Sequence, residues 1–130
     1  KELFNERIGL FLDNMKPKAT PIKKITLKTL DNIHIINISD IIYCEADGNY
    51  TTFYLSNHNK IVVSKLLREY EALLPSAHFM RPHQSYLVNF NHVVRYEKGI
   101  KNVLVTTDGQ SIPVSSRKRE PVMQFLNELH

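Results

Sequence analysis

Tryptophan is absent from the 130 residues, cysteine occurs once and glycine only four times. The single Cys44 excludes an intrachain disulfide framework and suits a reducing, cytoplasmic compartment. The glycines, at positions 9, 48, 99 and 109, stand apart from one another, so there is no Gly-rich loop to cradle phosphates. No apolar run approaches the roughly 18 residues that cross a bilayer, and no charged, apolar, small-residue leader opens the chain. No membrane partner is therefore expected. Charge of one sign is also scarce: 17 Lys+Arg against 13 Asp+Glu leave +4, which permits a polyanionic partner without requiring one. With 42% hydrophobic and 23% charged residues, the chain can bury the core of one domain of ordinary size. Position 1 is Lys, so the chain reads as a piece of a longer protein.

Enzyme chemistry finds little support. Cys44 lies between Ile42 and Ala46 on an apolar strand face, where a thiol is inert filler, and no base is placed beside it. His83 and Ser85 lack both a third member and an oxyanion donor. His78 and His83 are five residues apart, while His58 and His92 fall in turns, and there is no Cys pair. These are not metal-ligand spacings, so neither metal nor cofactor is expected. Glu45–Asn49 lacks the alternating oxygens and closing glutamate of a calcium loop and reads as a tight turn.

The hydrophobic period divides the chain in two. Phe4, Ile8, Phe11, Leu12 and Met15 recur at helical spacing, and Pro17 and Pro21 then break the pattern. Residues 1–21 thus read as a linker helix and hinge, and 22–130 as the domain. From Ile22 the period becomes two. Strands are expected around Ile25–Leu27, His34–Ile38, Ile42–Ala46 (Ile42, Cys44 and Ala46 on one face), Phe53–Leu55 (with Tyr54 opposite) and Ile61–Val63. Further strands are expected at Tyr86–Phe90, Val93–Glu97, Asn102–Thr107 and Ser111–Val114, the last two joined by an Asp108-Gly109 hairpin. Ser64 is placed to cap a short helix carrying Leu66, Leu67, Tyr70, Leu73 and Leu74. A terminal helix turns Val122, Met123, Leu126 and Leu129 inward. The result is a mainly antiparallel β domain with short helices.

Two segments concentrate polar chemistry. In Phe79–Asn89, Arg81 is suited to clamp a phosphate or read guanine, Gln84 can pair with adenine, and Pro82 fixes the backbone. For His83 and Asn89 a structural role is at least as good an account. Arg117-Lys118-Arg119 follows Ser115-Ser116 at a helix N-terminus, where cations, hydroxyls and free N–H groups can converge on phosphate. From that segment alone, phosphate binding and an ordinary solvated charge run stand level.

Together, Ile42–Thr51, Leu67 with Tyr70-Glu71, Phe79–Asn89 and Ile112-Pro113-Val114-Ser115 resemble, in order and spacing, the LytTR DNA-binding domain. Phe-x-Arg-x-His-x-Ser-x-x-Val-Asn is the most specific part, and the resemblance covers roughly residues 22–130. It implies an elongated stack of small antiparallel sheets whose loops at one edge enter successive grooves of duplex DNA. It also implies a bacterial response regulator: a receiver in cis, a cognate histidine kinase acting on it, and two copies pairing over repeated half-sites. By position, Asn49, Tyr50, Thr51, His83, Gln84, Ser116 and Arg117 are expected at bases or grooves, with either Ser116 or Arg117 as the reader. Arg81, Lys98, Lys101, Lys118 and Arg119 are expected on phosphates, and the acidic Glu69, Glu71 and Asp108 away from them. Two rivals stand beside this reading. One is an OB-like single-strand binder stacking bases on Tyr43, Tyr50, Phe53, Tyr54 and Tyr86. The other is a protein-interaction or ligand-sensing β module served by the Phe4–Met15 helix.

Overall fold

Exposed and buried side chains alternate along Lys24–Lys28, Tyr50–Leu55 and Lys60–Val63, whereas Ile41–Cys44 and Leu87–Asn89 are buried without a break, on both faces. The computed structural model describes residues 23–129, and the expected linker helix and hinge lie outside them. The strands are β1 (Lys24–Lys28), β2 (Ile33–Asn37), β3 (Ile41–Asp47), β4 (Tyr50–Leu55), β5 (Lys60–Val63), β6 (Phe79–His83), β7 (Tyr86–Asn89), β8 (Val93–Glu97), β9 (Val103–Thr106) and β10 (Ser111–Pro113). Two α-helices, α1 (Leu67–Leu73) and α2 (Arg119–Asn127), and three single 3-10 turns complete the described fold. All pairing is antiparallel, in a β1-β2 hairpin, a central sheet ordered β5-β4-β3-β7-β6 and a third sheet ordered β10-β9-β8. The mainly β class with stacked small sheets and short helices is the one expected.

The central sheet separates two cores. Cys44, Phe53, Ile61 and Leu87 face β1-β2 and α1, which supply Ile25, Leu27, Leu67 and Tyr70. Tyr43 and Val88 face the third sheet and α2, which supply Leu104, Ile112 and Val122. Ile42 does not share a face with Cys44, contrary to expectation. The register shifts between Ile41 and Tyr43, and this bulge sends Ile42 and Tyr43 to the second core while Ile41 and Cys44 stay in the first.

Other details also differ from the sequence reading. β6 was not expected, because a proline interrupts it. It is an edge strand whose register shifts between Met80 and His83, and a proline is tolerated at such an irregular edge. Ser64 does not cap α1. The Leu66 N–H donates to the Glu69 carboxylate at 3.2 Å, and the Glu69 N–H donates to the Leu66 carbonyl at 3.0 Å. Leu73 and Leu129 are exposed; α2 instead packs Phe125 on Phe90, with ring centroids 4.8 Å apart.

Because the second core is carried by a few fully enclosed aliphatic groups, Leu104→Ala should cost about 2–5 kcal/mol. Val94→Ala, on an exposed site of the same sheet, should stay within about 0.5 kcal/mol. Urea unfolding followed by circular dichroism measures both.

Candidate nucleic-acid interface

Strand direction decides which turns become neighbours. β3 ends, and β4 and β7 begin, at the same end of the central sheet. The β3–β4 connection has two residues, Gly48 and Asn49, between the paired Asp47 and Tyr50. Gly48 comes first with φ of 61°, the conformation such a hairpin asks of its first central residue. Asn49 and Tyr50 are exposed there.

The β6–β7 connection also has two residues, Gln84 and Ser85, between the paired His83 and Tyr86. Its backbone is held from three directions. The Ser85 N–H donates to His83 Nδ1 at 3.1 Å, and the Ala46 N–H of β3 donates to the Ser85 carbonyl at 2.8 Å. Arg81 Nη2 donates to the Gln84 carbonyl, while Arg81 Nη1 lies 3.1 Å from the Glu71 carboxylate on α1. The Gln84 side chain is left exposed.

The third turn-bearing segment joins the same end through another main-chain bond. The Ser115 N–H donates to the Pro82 carbonyl at 2.9 Å, which brings Ser116 and Arg117, both exposed, alongside β6. Ser116–Lys118 forms a single 3-10 turn leading into α2. The β8–β9 turn with Lys98 and Lys101 belongs to this end too, since Val103 pairs with Pro113 and the Val114 N–H donates to the Asn102 carbonyl at 2.9 Å. Lys101 lies 3.8 Å from Glu97, which also accepts from Arg95 Nε at 2.8 Å.

One expected contact needs correction, and a second side chain has protein partners of its own. Thr51 is fully buried, and its hydroxyl donates to the Lys65 carbonyl at 2.7 Å, so it secures the start of β4 and cannot reach a base. Arg81, expected on a phosphate, has its guanidinium committed to Glu71 and to the Gln84 backbone. Glu71 therefore lies among the cations rather than away from them, and Glu69 sits at the α1 start; Asp108 lies beyond β9 at the far end. Asn89 is structural: its amide donates to the Ile41 carbonyl at 2.9 Å and its oxygen accepts from the Asn91 N–H at 3.0 Å.

Arg68 was absent from the expected contacts. It lines a cleft of about 240 Å³ with Ala46, Gly48 and Arg81, and only its place in the first turn of α1 after Leu67 signalled it.

Behind these turns lies a tyrosine cluster. Tyr43 stacks on Tyr54 with centroids 4.4 Å apart, and Tyr54 and Tyr86 donate to Glu45 at 3.1 and 3.3 Å. Phe53 is enclosed and Tyr43 nearly so, leaving Tyr50 as the exposed member of the aromatic platform that single-strand stacking needs. Burial raises the phenols of Tyr43, Tyr54 and Tyr86 above their ordinary range, and the negative charge of Glu45 adds to it. Burial alone raises the Cys44 thiol.

The LytTr DNA-binding domain family matches residues 31–127. The chain belongs to this family. Among curated LytTR relatives, the sensory transduction protein LytT of Bacillus anthracis is 29% identical over 111 residues, which is 79% of this chain and 42% of that protein. The transcriptional regulatory protein YpdB of Escherichia coli K12 is 29% identical over 120 residues, 88% of this chain and 48% of that protein. The chain spans less than half the length of these relatives. A solved LytTr DNA-binding domain of a Bacillus cereus response regulator superposes with a TM-score of 0.71 at 29% identity, covering 81% of this chain and 97% of that one. LytTR domains are a DNA-binding regulator family rather than an enzyme family. Among the described residues, no helix is long and apolar enough to cross a membrane, and no cluster of His, Cys, Asp or Glu has the makings of a metal site.

The tyrosine cluster is expected to set an alkaline limit on this domain's stability. Unfolded tyrosine and cysteine ionise near 10.0 and 9.0, whereas the folded groups keep their protons to higher pH. Above about pH 9 the unfolded chain binds fewer protons than the native one, so stability falls as pH rises. Urea midpoints should decline from about pH 9 to 11, less steeply in Tyr54→Phe.

Proposed function

We propose that this domain binds duplex DNA in a sequence-specific manner through the end of the sheet that carries the β3–β4, β6–β7 and Ser115–Arg119 segments. The reading rests on one observation above all: Gln84, Asn49 and Arg117 are exposed on turns whose main chains are tied into one end. Asn49, Tyr50, His83, Gln84 and either Ser116 or Arg117 are the base and groove contacts. An amide can bond two positions on an adenine edge, and a guanidinium two on a guanine edge, in the major groove. His83 accepts at Nδ1, which leaves Nε2 as its donor. Lys98, Lys101, Lys118 and Arg119 are the phosphate contacts, and Lys65 and Arg68 flank them beside the β3–β4 turn.

In this reading residues 22–130 form the output domain of a bacterial two-component transcriptional regulator and residues 1–21 its connection. A receiver in cis, a histidine kinase acting on that receiver, and pairing of two copies on repeated half-sites complete the system in the cytoplasm. The domain has no catalytic step and no resident cofactor.

Selecting bound duplexes from a random-sequence pool tests the reading and yields the site. On that duplex Gln84→Ala or Asn49→Ala should cost about 1–3 kcal/mol, with much less lost on the unselected pool. Equal losses on both would remove these residues as readers. Lys118→Ala and Arg119→Ala should each lower the slope of log K against log salt by about 0.9, and an unchanged slope in both would count against the phosphate assignments.

A further inference from the structure

The Glu71–Arg81 pair is a poor investment as a stabilising ion pair: Glu71 is roughly half exposed, and pairs in that setting contribute little. Its geometry serves another end. The guanidinium is a rigid planar fork, and here its two prongs do different things. Nη1 is anchored 3.1 Å from the Glu71 carboxylate, and Nη2 holds the Gln84 carbonyl, the backbone of the residue whose side chain projects from the turn. The carbonyl on the other side of that turn, at Ser85, is held by the Ala46 N–H. Without Arg81, Gln84 would be fixed from one side only.

We propose that Glu71 and Arg81 are positioning residues that determine sequence specificity by aiming Gln84, and that Arg81 is not a phosphate contact. This rests on the duplex-binding reading above and deepens it. Glu71 has a second consequence: it neutralises a cation within the interface, so the site gains orientation without gaining indiscriminate attraction to phosphate.

The two roles for Arg81 predict opposite signs. If Arg81 aims Gln84, Glu71→Ala weakens binding to the selected duplex about fivefold or more, because the anchor of the fork is gone. If Arg81 were a phosphate contact held back by Glu71, the same substitution would tighten binding to selected and unselected duplex alike. Arg81→Lys keeps the charge but not the fork. It should lose about tenfold on the selected duplex while staying within about twofold on the unselected pool, with an unchanged salt slope. In a Gln84→Ala background, Arg81→Lys should add little further loss, since the side chain it aims is gone. A merely structural role would instead lower binding to both duplexes in step with the folded fraction, measured by thermal melting of each variant. In the absence of DNA, amide hydrogen exchange at Ser85 and Tyr86 should quicken in Arg81→Lys and in Glu71→Ala. Tighter selected binding in Glu71→Ala, or full additivity of Arg81→Lys with Gln84→Ala, overturns the proposal while leaving duplex binding intact. A wild-type domain with no duplex affinity at low salt overturns both.

Discussion

Two main-chain hydrogen bonds join the turns at one end of the central sheet: Ala46 N–H to the Ser85 carbonyl, and Ser115 N–H to the Pro82 carbonyl. Each joins a strand or its end to a segment distant in sequence, and each answers the requirement that enclosed peptide groups find partners. The pairing of β3 with β7 already sets the β3–β4 and β6–β7 turns side by side; the first bond fastens one to the other, and the second ties in the start of the α2 segment. With them, the loops share a foundation whose two cores lie on opposite faces of the central sheet. The functional surface is thus a consequence of where antiparallel strands end.

A net charge of +4 is too small to make the whole molecule attractive to a polyanion, so placement matters more than quantity. Arg68, Arg117, Arg119 and Lys98 lie toward one end, while Asp40 and Asp108 sit beyond strand ends at the other. Acids are nevertheless present among the cations. Glu97 draws on Arg95 and Lys101, and Glu71 on Arg81. Such pairing trades long-range attraction for orientation, which favours discrimination over bulk affinity.

Period-two alternation made most strands legible from the sequence, and Asp108-Gly109 marked its hairpin; the motif around Phe79–Asn89 carried the family. What escaped was set by tertiary structure. The bulge at Ile41–Tyr43 turns two consecutive residues to one face, which strict alternation cannot foresee. β6 escaped because Pro82 argues against a strand unless the strand is known to be an edge. Thr51 looked like a reader by position, and only the path of the chain through Lys65 reveals that its hydroxyl faces inward. The Glu71 partner of Arg81 also escaped, because it approaches from a helix ten residues earlier.

The same features bear on how such a site can be specific with so few side chains. Ordering a loop on binding costs conformational entropy, which subtracts directly from affinity. Here Ser85 is held through both its N–H and its carbonyl, and Gln84 through its carbonyl, without any ligand. Beneath them, Tyr54 and Tyr86 converge on Glu45 and link β4 and β7 through β3, the strands from which both turns spring. The ordering cost at the turns is therefore met during folding. What is left to adjust at the surface is a handful of χ angles in Asn49, Gln84 and Arg117. On the proposed reading, a wrong base would meet side chains on a backbone already tied down, leaving polar groups unpaired, and that penalty would be the source of discrimination between sequences.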